Sequence, residues 1–222
     1  MTKNLPLIIF DCDGILVDSE PIANHVLTLL LNEIGLEINY EQSLELFLGK
    51  SWSANLSTIT KMLGTKPPKN FLKTYTSRMT EEFHRDLKPV EGIEKVLSEI
   101  NYNFCVASSG SHQKIKTTLG ITGLLERFNN RIFSADDVKQ GKPSPDLFLH
   151  ACKYMNSEPE KCIVVEDALP GVLAAISAGM KVLGYTPTSD TWNLAFHGAI
   201  TFNHMHQLPQ LIENLIEADN EF

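Results

Sequence analysis

Short, mostly apolar runs alternating with helical patterns constrain this chain more than any other feature. Residues 7–10 (Leu-Ile-Ile-Phe), 104–107 (Phe-Cys-Val-Ala), 131–133 (Arg-Ile-Phe), 163–165 (Ile-Val-Val) and 181–185 (Lys-Val-Leu-Gly-Tyr) read as strands, and 199–202 (Ala-Ile-Thr-Phe) as an edge strand. A strand wetted on one face alternates apolar and polar side chains. Most of these do not alternate, so both faces must be covered, which is the situation of parallel strands joined by helices. The expected fold class is therefore α/β, a doubly wound parallel sheet.

One stretch breaks the alternation. From residue 19 to 88 only helical signals occur. Pro21 suits a first helical turn after Asp18 or Ser19 as cap, Ile22, Val26, Leu29, Leu30 and Ile34 supply an apolar face, and Gly35 ends the helix. Residues 41–48, 52–63 and 70–87 read as three further helices, punctuated by Gly49, Gly64 and Pro67-Pro68. Pro89 and Gly92 mark the return, with Ile93, Val96, Leu97 and Ile100 on one helical face. A closing helix over 207–216 is expected to turn Leu208, Leu211, Leu215 and Ile216 inward. The expected organisation is a core of residues 1–18 and 89–222 and an all-helical insert, 19–88, placed to act as a lid.

The 222 residues suffice for a full core, and 43% hydrophobic with 21% charged content is ordinary for a globular protein. A formal charge of -8 argues against nucleic acid, whose partners show a basic stripe. Cys12, Cys105, Cys152 and Cys162 are widely separated, with no CxxC and no zinc spacing, as in a reducing cytoplasm. Cys12 is expected to pack inward rather than act as a nucleophile. No segment approaches the ~20 apolar residues of a membrane span, and the opening apolar run is too short for a signal peptide. A cytoplasmic protein without a membrane partner is expected.

In open α/β sheets ligands bind beyond the carboxyl ends of the strands. Polar clusters stand there: Asp11-Cys12-Asp13-Gly14, Ser108-Ser109-Gly110, and Glu166-Asp167, with Gly141-Lys142-Pro143 ahead of the helix that Ser144-Pro145-Asp146 begins. Each has a bland reading alone: a helix-capping serine, a surface lysine, an acidic pair on a helix dipole. A calcium loop at Asp11 fails on spacing, since positions five and twelve would be Ile15 and Ile22. Two carboxylates at the tip of an apolar strand are costly unless a cation meets them. One would attack or bind metal while the other moves a proton, which is phosphoryl-transfer chemistry. His204 and His206 are expected at the surface, and Asn55-Leu56-Ser57, though a glycosylation pattern, falls in a helix and is discounted.

This ordered set resembles the haloacid dehalogenase superfamily of phosphatases and mutases. The resemblance is carried by Asp11-x-Asp13-Gly14 through Asp18-Ser19-Glu20, Ser108, Gly141-Lys142-Pro143-x-Pro145-Asp146, Glu166-Asp167, Pro170-Gly171 and Ala178-Gly179-Met180. It implies a Rossmann-like core, with the helical insert as the cap of the subgroup containing β-phosphoglucomutase and small sugar-phosphate phosphatases. Within that subgroup the FDCDG segment and the region ending Gln207-Leu208-Pro209 are most similar to phosphatases acting on 6-phosphogluconate. The resemblance makes Asp11 the nucleophile, Asp13 the acid and base, and Mg²⁺ the cofactor, held by Asp11, the carbonyl of Asp13 and Asp167, with Glu166 a direct or water-bridged ligand. Ser108, the Ser109 N–H and Lys142 would receive the phosphoryl group, with Gly49, Lys50 and Trp52 near the substrate, Trp52 having as its alternative a place in the core of the insert. Trp52 stands where a mutase pattern expects an arginine and Ala23 where it expects a histidine, unless Lys50, Lys73 or Arg78 compensates. The expected function is hydrolysis of a small phosphorylated metabolite, such as a sugar phosphate or 6-phosphogluconate, by a monomer. The alternatives are a mutase and a non-catalytic phospho-ligand sensor.

Overall fold

The computed structural model describes residues 6–48, 52–187 and 192–220. Its strands are β1 (Leu7–Phe10), β2 (Asn103–Ser108), β3 (Ile132–Ser134), β4 (Cys162–Glu166), β5 (Lys181–Tyr185) and β6 (Ile200–Phe202). They form one sheet in the order β3-β2-β1-β4-β5-β6, every neighbouring pair parallel. The fold is the expected α/β type. The order reverses at β1, because the chain fills β2 and β3 on one side before crossing to β4 on the other. That reversal opens a crevice beyond the carboxyl ends of β1 and β4, where α/β proteins bind ligands.

β1 is central, buried at all four positions, and its register puts Phe10 beside both Val106 and Val165. One face packs Leu7, Ile9, Cys105 and Val164 against Leu147, Phe148, Val172 and Ala175. On the ring cluster Phe10–Phe104–Phe128, edge-to-face contacts at 6.1 and 5.3 Å fill space, with the Arg131 guanidinium 4.8 Å above Phe104. This is why an unbroken apolar run was needed here.

The helices are α1 (Glu20–Glu33), α2 (Tyr40–Phe47), α3 (Trp52–Leu63), α4 (Phe71–Asp86), α5 (Ile93–Glu99), α6 (His112–Ile121), α7 (Leu125–Phe128), α8 (Asp146–Tyr154), α9 (Leu169–Ser177), α10 (Trp192–Phe196) and α11 (Leu208–Asn220). The chain divides into two compact units, Met1–Val17 with Pro89–Phe222, and the helical Asp18–Lys88.

The helical unit has its own core. α1 starts with Ser19 at its cap position and Pro21 in its first turn, and Gly35, at φ +92°, closes it with Leu36 N–H bonded to the Leu31 carbonyl. The expected apolar face needs correction. Leu29 is 49% exposed, whereas Leu27 and Leu31 are buried with Val26 and Leu30. Both α2 and α4 pack on α1, so the buried stripe is wider and rotated relative to a single-contact face. Three consecutive leucines leave that rotation undetermined by periodicity. Asn55 is likewise buried on α3, donating to the Phe47 carbonyl at 3.3 Å. On α11, Leu208 and Ile212 are fully buried while Leu211, Leu215 and Ile216 are only half-buried. The inward residue Ile212, one turn after Leu208, was missing from the expectation.

Candidate active site

The β1 ladder runs one residue past the strand: Asp11 N–H donates to the Val165 carbonyl at 3.0 Å, which seats Asp11 at the mouth of the crevice. The chain then turns tightly, with Leu16 and Val17 N–H both bonded to the Cys12 carbonyl and Gly14 N–H bonded to Val17. Gly14 is in the left-handed region, at φ +74°, and a Cβ there would lie 1.9 Å from Asp167 Oδ2. Only glycine allows both this turn and this approach of Asp167.

Three carboxylates meet beyond β1 and β4. Asp11, Glu166 and Asp167 each offer an oxygen within 4.8 Å of the others. Lys142, from the loop before α8, donates to Asp11 Oδ1 and to Glu166 Oε1, both at 2.5 Å. Its side chain is almost fully enclosed, with the Phe148 ring centroid 4.8 Å from the ammonium. Lys142 follows β3 only after a 3-10 turn at Ala135–Asp137, so its station is a loop rather than a strand end. The second oxygen of Glu166 accepts the N–H groups of Asp167 and Ala168 at 3.0 and 3.1 Å, at the start of α9.

Burial sets the electrostatics. It pushes Asp11 up to about 7, with Glu166 and Asp13 adding to the rise and Lys142 opposing it. Burial by itself would pull Lys142 down, but Asp11 and Glu166 hold it well above the ordinary lysine value. The Cys12 thiol is pushed far up by burial and by both neighbouring aspartates. It faces Thr118 at 3.8 Å and is packed inward, in line with the expectation that it is no nucleophile.

A second arm of the site was not anticipated. Lys114, in the first turn of α6, donates to Asp13 Oδ2 at 2.7 Å. Asp13's carboxylate therefore stands outside the acidic trio. A cation in the first turn opposes the helix dipole and wants an anionic partner; that was the available signal. Ser108 is buried and its Oγ accepts the Gly110 N–H at 3.1 Å, while Ser109 is exposed beside it. All of these residues belong to one unit. In the helical unit, Trp52 stacks on Tyr75 at 5.2 Å and on Phe71 at 6.3 Å, within that unit's own core. Gly49 and Lys50 lie outside the described residues.

Hard oxygen donors, clustered and outnumbering the ammonium that pairs with two of them, could hold a hard cation rather than a soft metal. The close packing around the trio makes a prediction. A Cβ at residue 171 would fall 1.8 Å from Glu166 Oε1, and that carboxylate is already pinned by Lys142 and two backbone N–H groups. Gly171→Ala is expected to lower stability by about 1–3 kcal/mol, as overpacking does, and to reduce activity with it. A melting curve and a turnover assay check this together; an unchanged melting curve would mean that Glu166 has room to move.

The haloacid dehalogenase-like hydrolase family model matches residues 8–185. The chain is 31% identical over 210 residues to 6-phosphogluconate phosphatase of Escherichia coli K12, spanning 94% of this chain and 95% of that protein. It is 27% identical over 176 residues to fructose-1-phosphate phosphatase YqaB of the same organism, spanning 79% and 94%. Among solved structures, a conserved haloacid dehalogenase-like protein of unknown function from Agrobacterium tumefaciens C58 superposes with a TM-score of 0.86. It shares 34% identity and spans 96% of this chain and 99% of that one.

Proposed function

The chain belongs to the haloacid dehalogenase-like hydrolases, and from that premise we propose that it hydrolyses the phosphate monoesters of small metabolites, sugar phosphates foremost, at the tip of β1. The observation that carries this reading is the position of Asp11: a buried carboxylate held 2.5 Å from an enclosed lysine and within reach of two further carboxylates. A structural ion pair has no use for the two extra acids. A phosphoryl-transfer site uses all of them.

Asp11, Glu166 and Asp167 would hold Mg²⁺, with the Asp13 carbonyl as the further ligand implied by the family; when bound, the ion supplies positive charge facing the phosphoryl oxygens. Asp11 itself attacks phosphorus, so that the bond from phosphorus to the ester oxygen breaks and an aspartyl-phosphate forms. Asp13 gives its proton to the departing oxygen. It then takes a proton from the water that attacks the aspartyl-phosphate, releasing inorganic phosphate and restoring Asp11. Lys142 offsets the repulsion between the Asp11 carboxylate and the anionic ester, and Ser108 and the Ser109 N–H receive phosphoryl oxygens.

The test is phosphate release from p-nitrophenyl phosphate and from a panel of sugar phosphates that includes 6-phosphogluconate and fructose 1-phosphate. Turnover of at least one sugar phosphate is expected, and none at all would end the reading. Excess EDTA is expected to reduce the rate by at least about 100-fold, the scale of one lost electrostatic stabiliser, with Mg²⁺ restoring it. An EDTA-insensitive rate would remove the metal assignment. Bisphosphate-primed conversion of β-glucose 1-phosphate to glucose 6-phosphate is expected to be undetectable.

A further inference from the structure

The phosphatase reading leaves open what orients the residue that serves the leaving oxygen. Asp13 sits on a turn, about 30% exposed, and an aspartate there has several rotamers available. Lys114, 101 residues later in the chain, pairs with it, the ammonium 2.7 Å from Oδ2.

We propose that Lys114 is a positioning residue: it fixes the Asp13 carboxylate in one orientation at the mouth of the pocket, and the rate of cleavage depends on that orientation. The inference rests on the phosphatase reading above. Two further contacts support it, together with the lysine's place in its helix. The Lys114 stem crosses Gly110 so closely that a Cβ there would lie 3.3 Å from the lysine Cδ and 3.5 Å from Ser108 Oγ. Gly110 thus lies against both the lysine stem and the Ser108 hydroxyl. One turn further along α6, Thr118 meets Cys12 at 3.8 Å, so the same helix holds two consecutive residues of the Asp11–Gly14 turn. Finally, a lysine in the first turn of a helix is unfavourable on its own account. A partly exposed ion pair adds little stability, so folding alone gives weak reason for this cation to be there.

A positioning role separates substrates by how much protonation their leaving group requires. p-Nitrophenolate leaves readily without a proton, whereas a sugar alkoxide needs one. With Lys114→Met, kcat/KM on the sugar phosphate turned over fastest by the wild-type protein is expected to fall about 10–100-fold, at or below the lower end of what acid–base catalysis supplies. kcat/KM is compared because it reports formation of the aspartyl-phosphate, whereas Asp13 also serves the hydrolysis of that intermediate, which every ester shares. The loss on the sugar phosphate is expected in kcat, with KM within about threefold, and kcat/KM on p-nitrophenyl phosphate is expected to fall by no more than about threefold. Lys114→Arg, which retains the charge and reach, is expected to recover most of the loss. Lys114→Gln provides a second neutral variant should the methionine fail to fold, and unchanged melting temperatures check both. An equal loss of kcat/KM on the two ester types, a change confined to the KM of the sugar phosphate, or no recovery by arginine would overturn the inference while leaving the phosphatase reading in place. A wild-type protein that cleaves no sugar phosphate removes the reading, and this inference falls with it.

Discussion

Asp11→Asn is expected to abolish turnover without harming the fold. The amide is a poor nucleophile and a weaker metal ligand, so phosphate release should fall at least about 10⁴-fold, the scale on which loss of a nucleophile is felt. At ~1.4 kcal/mol per decade that is roughly 5–6 kcal/mol of transition-state stabilisation. Stability should move the other way or not at all. A carboxyl group whose folded-state value is raised above its unfolded one destabilises the protein once the pH exceeds the unfolded value, because the native state must then lose a proton it prefers to keep. Asp11, raised to about 7, is such a group. A neutral amide of the same shape removes that cost, so the melting temperature at pH 8 should be no lower than wild type. Phosphate-release kinetics, with intact-mass spectrometry to exclude deamidation, test the first half. Near wild-type turnover would take Asp11 out of its role.

Lys142→Met should lose both activity and stability. The methionine fills much of the same volume but leaves Asp11 and Glu166 facing each other without the ammonium that bridges them at 2.5 Å. Breaking a buried ion pair by removing one partner costs about 3–5 kcal/mol, since the remaining charge is stranded. Rates should fall about 10²–10³-fold, as for removal of one charge-stabilising donor. The stability loss should also depend on pH. The stranded carboxylates regain neutrality by protonation, so the deficit should shrink as the pH falls towards 4 and widen as it rises towards 8. Chemical denaturation across that range, with chelator present so that no ion substitutes for the ammonium, measures it. A deficit that does not vary with pH would show that the carboxylates are not what the lysine neutralises. The contrast between the two variants is itself diagnostic: one removes the reacting group, the other the charge that lets two acids share a buried pocket.

Much of the site was legible because its residues sit where local chemistry is abnormal. Two aspartates ending an apolar strand, an acidic pair ending another, and a glycine-bounded lysine before a helix are each unusual at short range. Lys114 was not read, although a cation in the first turn of α6 opposes the helix dipole; nothing nearby in the chain points to its partner 101 residues earlier. Trp52 had two readings, near the substrate or in the core of the insert, and its stacking on Phe71 and Tyr75, which depends on how α3 and α4 meet, puts it in that core.

Strand and helix order and the helical interruption after the first strand follow from periodicity and from turn residues. These act over a few positions and are set by backbone geometry alone. Tertiary structure decided which side chains face one another across long separations, such as Lys142 with Asp11 at 131 residues and Cys12 with Thr118 at 106, and which side of a helix is covered: Leu27 and Leu31 rather than Leu29 on α1, and Ile212 on α11. The reason is physical. A helix or strand has an apolar face whatever surrounds it, but the rotation that buries that face, and the charge that meets a given carboxylate, are properties of the neighbour.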